Sequence, residues 1–400
     1  MRLLRNAVLL ALGMAAVTFG HTRAAAGPEL LAPTASPLSG SYLAGNFCLV
    51  RNTPEQYATM FDSEPGGVIG ADYQRATPMP NGDVLWTFQD AEIRLPNGHS
   101  TLVHNIGLIQ SGTCFAILIG GTREAPQPWL FASDTVPFAH WYWPMDATMG
   151  ADGRMYVYLA EMFERGSYYL DRVEPTSTAV AAIDIDNWDV EHQGPARDSS
   201  PSLYGWTSAT DDRWTYLYAH CYRQFGYDLH RDGWFRVHDS SCTAKVTLSR
   251  VPRGELFAAP QYWTGNGWSS IPERASPILQ TAGRVVNAAD ITHVNNRWLV
   301  VVKVDDWFGN TILVESSPRP TGPFDTIMTL PATPKCDAAV CNTYFASWIP
   351  KGPDGTMTIG LSNNRWDGVF SDVYRPTYRT IPTPAFTMSP ADRCQLGHCG

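Results

Sequence analysis

Asp72 and Asp90 stand 18 residues apart in the chain, a separation that suits the two ends of one strand–turn–strand unit. Cleavage of a glycosidic bond needs two carboxyl groups on opposite sides of the scissile bond, one of which gives a proton to the leaving oxygen. Most loop aspartates only cap turns, so the pair matters if the fold brings the two together. A third aspartate, Asp146, follows Trp143-Pro144 and would enter the same site to tune a neighbouring pKa, bind a sugar hydroxyl or hold a cation. His104-Asn105 would set a donor beside a carboxylate, and Glu161 and Glu164 are alternative acids. Trp141, Trp143, Trp206 and Trp307 fall in or beside expected loops. Sugar rings stack on such indole faces, and core packing uses the same residue type.

The elements that must position these groups are short aromatic strands. Residues 83–90 read Asp-Val-Leu-Trp-Thr-Phe-Gln-Asp, 141–146 read Trp-Tyr-Trp-Pro-Met-Asp, and 214–218 read Trp-Thr-Tyr-Leu-Tyr. Short β runs at fairly even spacing, separated by turns such as Pro96-Asn97-Gly98 and Ala151-Asp152-Gly153, predict an all-β, radial architecture. The runs fall into five groups: 84–88, 106–110 and 114–119; 155–160 and 180–185; 214–218, 245–248 and 262–263; 298–304, 311–315 and 326–330; and 344–349, 357–361 and 369–374. Five groups predict a five-bladed β-propeller, in which loops at one end converge on the axis, with six blades or a two-sheet sandwich as the alternatives. A short helix is expected at 53–61, with Thr53 as N-cap and Pro54 at its first position.

Residues 1–26 combine a basic start, an apolar run and the small-residue exit Ala24-Ala25-Ala26, the three parts of a secretory signal peptide cleaved near Ala26. Residues 27–44 read as a flexible lead-in, and 45–400 as one domain. No later stretch is apolar for long enough to span a membrane. The net charge of −9, with no long basic run, argues against nucleic acid as a partner. Eight cysteines in an exported chain point to disulfides rather than metal thiolates. A local-first pairing joins Cys336 to Cys341, Cys394 to Cys399 and Cys221 to Cys242, leaving Cys48 with Cys114. No metal site and no cofactor is expected. There is no phosphate-cradling loop, dinucleotide fingerprint or Gly-x-Ser-x-Gly elbow.

Several segments, in order, resemble an actinobacterial family of secreted five-bladed propellers, formerly a domain of unknown function, that includes endo-D-arabinanases. They are Gly70-Ala71-Asp72, Leu85-Trp86-Thr87-Phe88-Gln89-Asp90, Val103-His104-Asn105, Trp141-Tyr142-Trp143-Pro144-Met145-Asp146 and Tyr204-Gly205-Trp206. Ser317-Pro318-Arg319-Pro320-Thr321-Gly322-Pro323-Phe324 and Leu361-Ser362-Asn363-Asn364 continue the series. The resemblance implies that Asp72 and Asp90 are the catalytic pair of an enzyme acting on arabinofuranose-containing cell-wall polysaccharide. The chain departs from the family where Gln89-Asp90-Ala91 replaces Gly-Asp-Thr, and where Ala71-Asp72-Tyr73-Gln74 replaces Thr-Asp-Leu-Gly. Both aspartates remain while their neighbours differ, so a non-catalytic carbohydrate-binding or cell-surface propeller is the alternative.

Overall fold

The computed structural model describes residues 42–131, 140–164, 173–196, 202–220, 225–228, 233–236, 246–279, 286–294, 296–304, 310–332, 340–349, 357–366 and 374–381. The described chain is nearly all β. In chain order the first group holds β1 (Tyr42–Cys48), β2 (Val68–Ala71), β3 (Arg75–Pro78), β4 (Val84–Phe88), β5 (Ala91–Arg94), β6 (Ser100–Val103), β7 (Ile106–Ser111), β8 (Cys114–Gly121) and β9 (Pro126–Gln127). The second group is β10 (His140–Met149), β11 (Met155–Glu164), β12 (Val173–Ile183) and β13 (Val190–Pro195). The third holds β14 (Leu203–Thr210), β15 (Trp214–His220), β16 (Phe225–Asp228), β17 (Gly233–Arg236), β18 (Val246–Pro252), β19 (Gln261–Trp263) and β20 (Trp268–Ser269). The fourth is β21 (Val286–Val294), β22 (Arg297–Val304), β23 (Thr311–Ser317) and β24 (Asp325–Pro331), and the fifth is β25 (Val340–Ile349), β26 (Met357–Trp366) and β27 (Thr377–Ile381).

Each group forms an antiparallel sheet read outward from one lead strand: β3-β4-β7-β8-β1, β10-β11-β12-β13, β14-β15-β18-β19-β20, β21-β22-β23-β24 and β25-β26-β27. Two small sheets, β2-β5-β6 and β16-β17, stand apart. Among the described residues the sheets share no backbone ladder, but their lead strands pack side by side in a cycle: β3 on β10, β10 on β14, β14 on β21, β21 on β25, and β25 back on β3. No described helix is long and apolar enough to cross a membrane.

Most sheets are buried on both faces, which explains their continuous apolar strands. In β22, Leu299 and Val301 join the core shared with β25 and β26, while Val300 and Val302 join the core shared with β15 and β18. In β11, Met155, Val157 and Leu159 face one neighbouring cluster, and Tyr156, Tyr158 and Ala160 face the other. The lead strands differ from this pattern. Each of β10, β14, β21 and β25 carries one irregularity against its second strand, at Pro144/Ala147, Tyr204/Thr207, Asn287/Asp290 and Thr343/Phe345 respectively. Bulges re-aim side chains, and here polar ones meet at the centre of the cycle.

The helix α1 (Pro54–Tyr57) starts where the sequence places it, and the Thr53 hydroxyl accepts from the Gln56 amide. It is shorter than expected, ending four residues before Phe61. Cys48 is disulfide-bonded to Cys114 across the β1–β8 pair. The other three expected pairs involve residues outside the described ones, as do the turn at 353–355 and most of the strand expected at 369–374. The third strand of the last sheet is β27.

Candidate active site

Asp72 lies in the link from β2 to β3, and Asp90 in the link from β4 to β5. Their backbones clasp: the Asp72 amide donates to the Asp90 carbonyl (2.9 Å) and the Gln89 amide to the Asp72 carbonyl (3.0 Å). The Asp90 amide also donates to Asp72 Oδ1 (2.9 Å), and the hydroxyl of Tyr344, on β25, meets Asp72 Oδ2 at 2.6 Å. Both oxygens of Asp72 are therefore engaged. Asp90 differs. Its Oδ1 accepts from Trp143 Nε1 (2.8 Å) and lies 3.0 Å from His104 Nδ1, which donates when it carries the proton. Its Oδ2 takes no hydrogen bond from any described residue and is not sealed from solvent.

The two side chains are almost fully buried, Asp72 at 5% and Asp90 at 4% exposure. Burial, and then the charge of Asp90, push the Asp72 carboxyl well above the ordinary carboxylate range, against the downward pull of Tyr344 and the Asp90 amide. Burial beside a second carboxyl group thus favours the protonated form of Asp72.

Asp146 was expected in a loop, but it lies within β10, at the bulge. Its Oδ1 accepts from the Ala147 amide (2.9 Å) and its Oδ2 from the amide (2.5 Å) and hydroxyl (2.8 Å) of Ser208. It belongs to a cluster at the centre of the lead strands that linear reading missed. Arg75, 2% exposed, donates from Nη1 to Asp290 Oδ1 (3.1 Å). Asp290 also accepts from Thr207 Oγ1 (2.9 Å) and the Trp348 amide (2.6 Å). Gln74 Nε2 donates to Ser347 Oγ, and Thr77 Oγ1 to the Ala147 carbonyl, each at 3.4 Å. These bonds join β10 to β14, β14 to β21, β21 to β25, and the first group to both its neighbours. The ring is complete.

Charge at this centre follows from burial. Asp146 is raised to about 6, by desolvation against the pull of Arg75 and with a push from Asp290. His220 is lowered to about 4, by desolvation and then by Arg75, so it is neutral near pH 7. Between the ordinary carboxylate pKa and about 6, the folded chain holds the Asp146 proton more tightly than the unfolded chain does. This group's contribution to stability therefore falls as pH rises through that window. Asp146→Asn lacks this titration. Its stability relative to wild type should improve between pH 4 and pH 7 in denaturant titrations, and a pH-independent difference would contradict the assignment.

The remaining expected site residues fall in three places. Asn105 is fully buried, with its amide donating to the Leu130 and Tyr142 carbonyls and accepting from the Leu130 amide. It staples the first sheet to the second and has no donor left for a ligand, which corrects its expected binding role. Trp141 is stacked on His104 (4.3 Å between centroids) and meets Trp143 edge-on. Trp206 packs against Arg75 and Tyr73. Trp141, Trp143 and Trp206 are buried, so they brace the carboxylates and Arg75 and do not present open faces to a sugar. Trp307 lies outside the described residues, as does the Glu164 side chain. Glu161 is engaged by His140 Nε2 (2.8 Å) and by the Ser177 hydroxyl. Among the described residues no group of three His, Cys, Asp or Glu side chains has the arrangement to hold a metal ion.

The family described as a domain of unknown function, DUF5005, matches residues 54–382. The chain belongs to the DUF5005 family. No curated protein matches its sequence. A solved structure from Bacteroides ovatus, provisionally described as a hydrolase, superposes on this DUF5005 chain with a TM-score of 0.60 at 17% identity, over 79% of this chain and 86% of the other. The DUF5005 chain shares that protein's overall fold. More distant matches include glycoside hydrolases. A GH43_1 enzyme from Xanthomonas citri, bound to xylotriose, scores 0.44 at 13% identity, over 80% of this chain and 90% of the other. An exo-β-1,3-galactanase from Phanerochaete chrysosporium scores 0.45 at 10%, over 86% of this chain and 65% of the other.

Proposed function

We propose that the protein is a secreted glycoside hydrolase on a five-bladed β-propeller, acting on arabinofuranose-containing cell-wall polysaccharide in the manner of an endo-D-arabinanase. The observation that carries the reading is the asymmetry of Asp72 and Asp90. They are two clasped, buried carboxyl groups, one driven toward its acid form and the other anchored through Oδ1 with Oδ2 free. The cyclic packing of the five lead strands supports the propeller, and a hydrolase is the description given to the Bacteroides ovatus protein that shares the fold. Residues 1–26 would direct export, with cleavage near Ala26. Residues 27–44 would be the lead-in, and 45–400 a single domain.

In this mechanism Asp72 gives its proton to the glycosidic oxygen as the bond to the anomeric carbon breaks. Asp90 Oδ2 takes a proton from the water whose oxygen bonds to that carbon. The sum is addition of one water across the glycosidic bond, by single displacement. His104 and Trp143 fix the Asp90 carboxylate in place, and Trp141 holds His104. The alternative is a carbohydrate-binding propeller whose carboxylates no longer turn over, and its supporting observation is how little of either aspartate is exposed.

The Tyr344 hydroxyl pulls the Asp72 pKa down, so its removal should raise that pKa further. Tyr344→Phe should therefore keep the acid protonated to higher pH and move the alkaline limb of the pH–rate profile upward. A limb that stays in place, or moves down, would remove Asp72 from the role of acid.

A further inference from the structure

One hydroxyl of the last sheet ties down the loop that carries Asp72. Ser362, on β26, stands opposite Phe345 of β25, beside the irregularity that sets Tyr344 off the ladder. Its fully buried hydroxyl accepts from the Tyr73 amide (2.9 Å) and donates to Gln74 Oε1 (2.9 Å). Gln74 is fully buried too, and its Nε2 reaches Ser347 Oγ (3.4 Å). Gly360 leaves the space for that amide, since a Cβ there would meet Gln74 Nε2 at 3.0 Å. With its hydrogen committed to Gln74, the Ser362 oxygen turns a lone pair to the Tyr73 N–H.

The residue held in this way has a left-handed backbone, with φ 49° at Tyr73. An L residue enters that region against steric opposition and stays only where its surroundings over-determine it. The Tyr73 ring packs among Trp206, Tyr344 and Phe345, while Ser362 holds the backbone. Asp72 immediately precedes this turn, and on its other side the Ala71 amide donates to the Tyr374 carbonyl (2.8 Å). Asp72 is thus flanked by two backbone anchors, one from β26 and one from the segment leading into β27.

We propose that Ser362 is a positioning residue for Asp72, the acid of the hydrolase reading on which this role rests. By holding the turn at Tyr73, it keeps Asp72 Oδ1 on the Asp90 amide and Oδ2 on the Tyr344 hydroxyl. Asp90 and Tyr344 are the titratable groups that act on the Asp72 carboxyl, and burial is the largest cause of its raised pKa. Without the Ser362 hydroxyl the turn relaxes toward an unstrained backbone, and the carboxyl opens to water. Its pKa then falls, because hydration favours the charged form. Tyr344→Phe acts in the opposite sense, so the sign of the shift tells the two changes apart.

Two readouts on the full chain, taken well below the melting temperature of each variant, test this. The first is independent of turnover: a carbon-13 NMR titration of the Asp72 carboxyl, assigned by its loss in Asp72→Asn. Ser362→Ala should lower the Asp72 pKa, and Gln74→Leu, which frees the Ser362 hydrogen, should lower it less. The second is the pH–rate profile on whichever of arabinogalactan, xylan and β-1,3-galactan the wild-type chain cleaves. Ser362→Ala should lower kcat by about 10²-fold, the scale of a misplaced reacting group, with KM held within about threefold and the alkaline limb moved to lower pH. An Asp72 pKa that stays in place in Ser362→Ala would overturn the proposal and leave the hydrolase reading standing. A loss of rate with an unmoved alkaline limb would also overturn it, by showing a residue that serves stability alone. If the wild-type chain cleaves none of the three polysaccharides, the hydrolase reading falls and the positioning role with it.

Discussion

Asp90→Asn is expected to lower turnover of the polysaccharide by about 10³-fold or more, the scale of a lost general base, while leaving the fold and the affinity nearly intact. The reason is geometric. Asn keeps a carbonyl oxygen at the Oδ1 position, so the Trp143 and His104 contacts can persist. What disappears is the basic oxygen at Oδ2, the one atom of the pair with no partner among the described residues. Asp72→Asn should cost a similar factor for a different reason, since it removes the proton carried at the engaged carboxyl. Because the two act as a unit, the double variant should be little worse than either single one. Initial rates of reducing-end release, with affinity measured on the same proteins, check this. A fall in affinity that matched the fall in rate would indicate lost binding rather than lost chemistry.

The second large effect concerns stability. Arg75 is the cation at the centre of the lead strands. It is bonded to Asp290, lies within electrostatic reach of Asp146, and rests over the Phe345 ring at 4.8 Å. Arg75→Met leaves two buried carboxylates without their counter-charge, and breaking a buried pair from one side costs about 3–5 kcal/mol. Arg75→Met combined with Asp290→Asn should cost less than the sum of the two single changes, because the second removes the charge that the first strands. Urea denaturation of the three variants measures this coupling. Additive losses would show that the charges at the centre do not interact as the structure places them.

How much of this was legible in the sequence depends on where each residue's partners lie. The second strands of the sheets could be read directly. β4 coincides with the expected 84–88, and β22 begins one residue before the expected 298–304, because apolar runs buried on both faces leave an unambiguous pattern. The helix start was legible because Thr53 and Pro54 act locally. The lead strands were harder. β14 reads Leu-Tyr-Gly-Trp-Thr-Ser-Ala-Thr, with Gly205 at φ 90° and a bulge beside it, so neither alternation nor an apolar run marks it. Asp146 resembled a loop residue for the same reason.

Asp72 and Asp90 could be paired from their spacing and from the family resemblance, because their contact closes over 18 residues. Arg75 could not be matched to Asp290, 215 residues away, nor Tyr344 to Asp72, 272 residues away. Those contacts exist only once the fourth and fifth sheets pack against the first. The tryptophans were visible as a type, but which faces they turn to solvent depends on neighbours such as His104 and Arg75, contributed by other parts of the fold. The one distant signal was a charged residue inside an apolar stretch, as at Asp290 in Ala288-Ala289-Asp290-Ile291.

The most direct test of the central claim is to incubate the purified chain with arabinogalactan and follow released oligosaccharides by mass and by new reducing ends. Release by the wild-type chain is expected, with Asp90→Asn and Asp72→Asn folded and nearly silent. No release by the wild type from arabinogalactan, xylan or galactan, or undiminished release by the chain with both aspartates replaced, would contradict it.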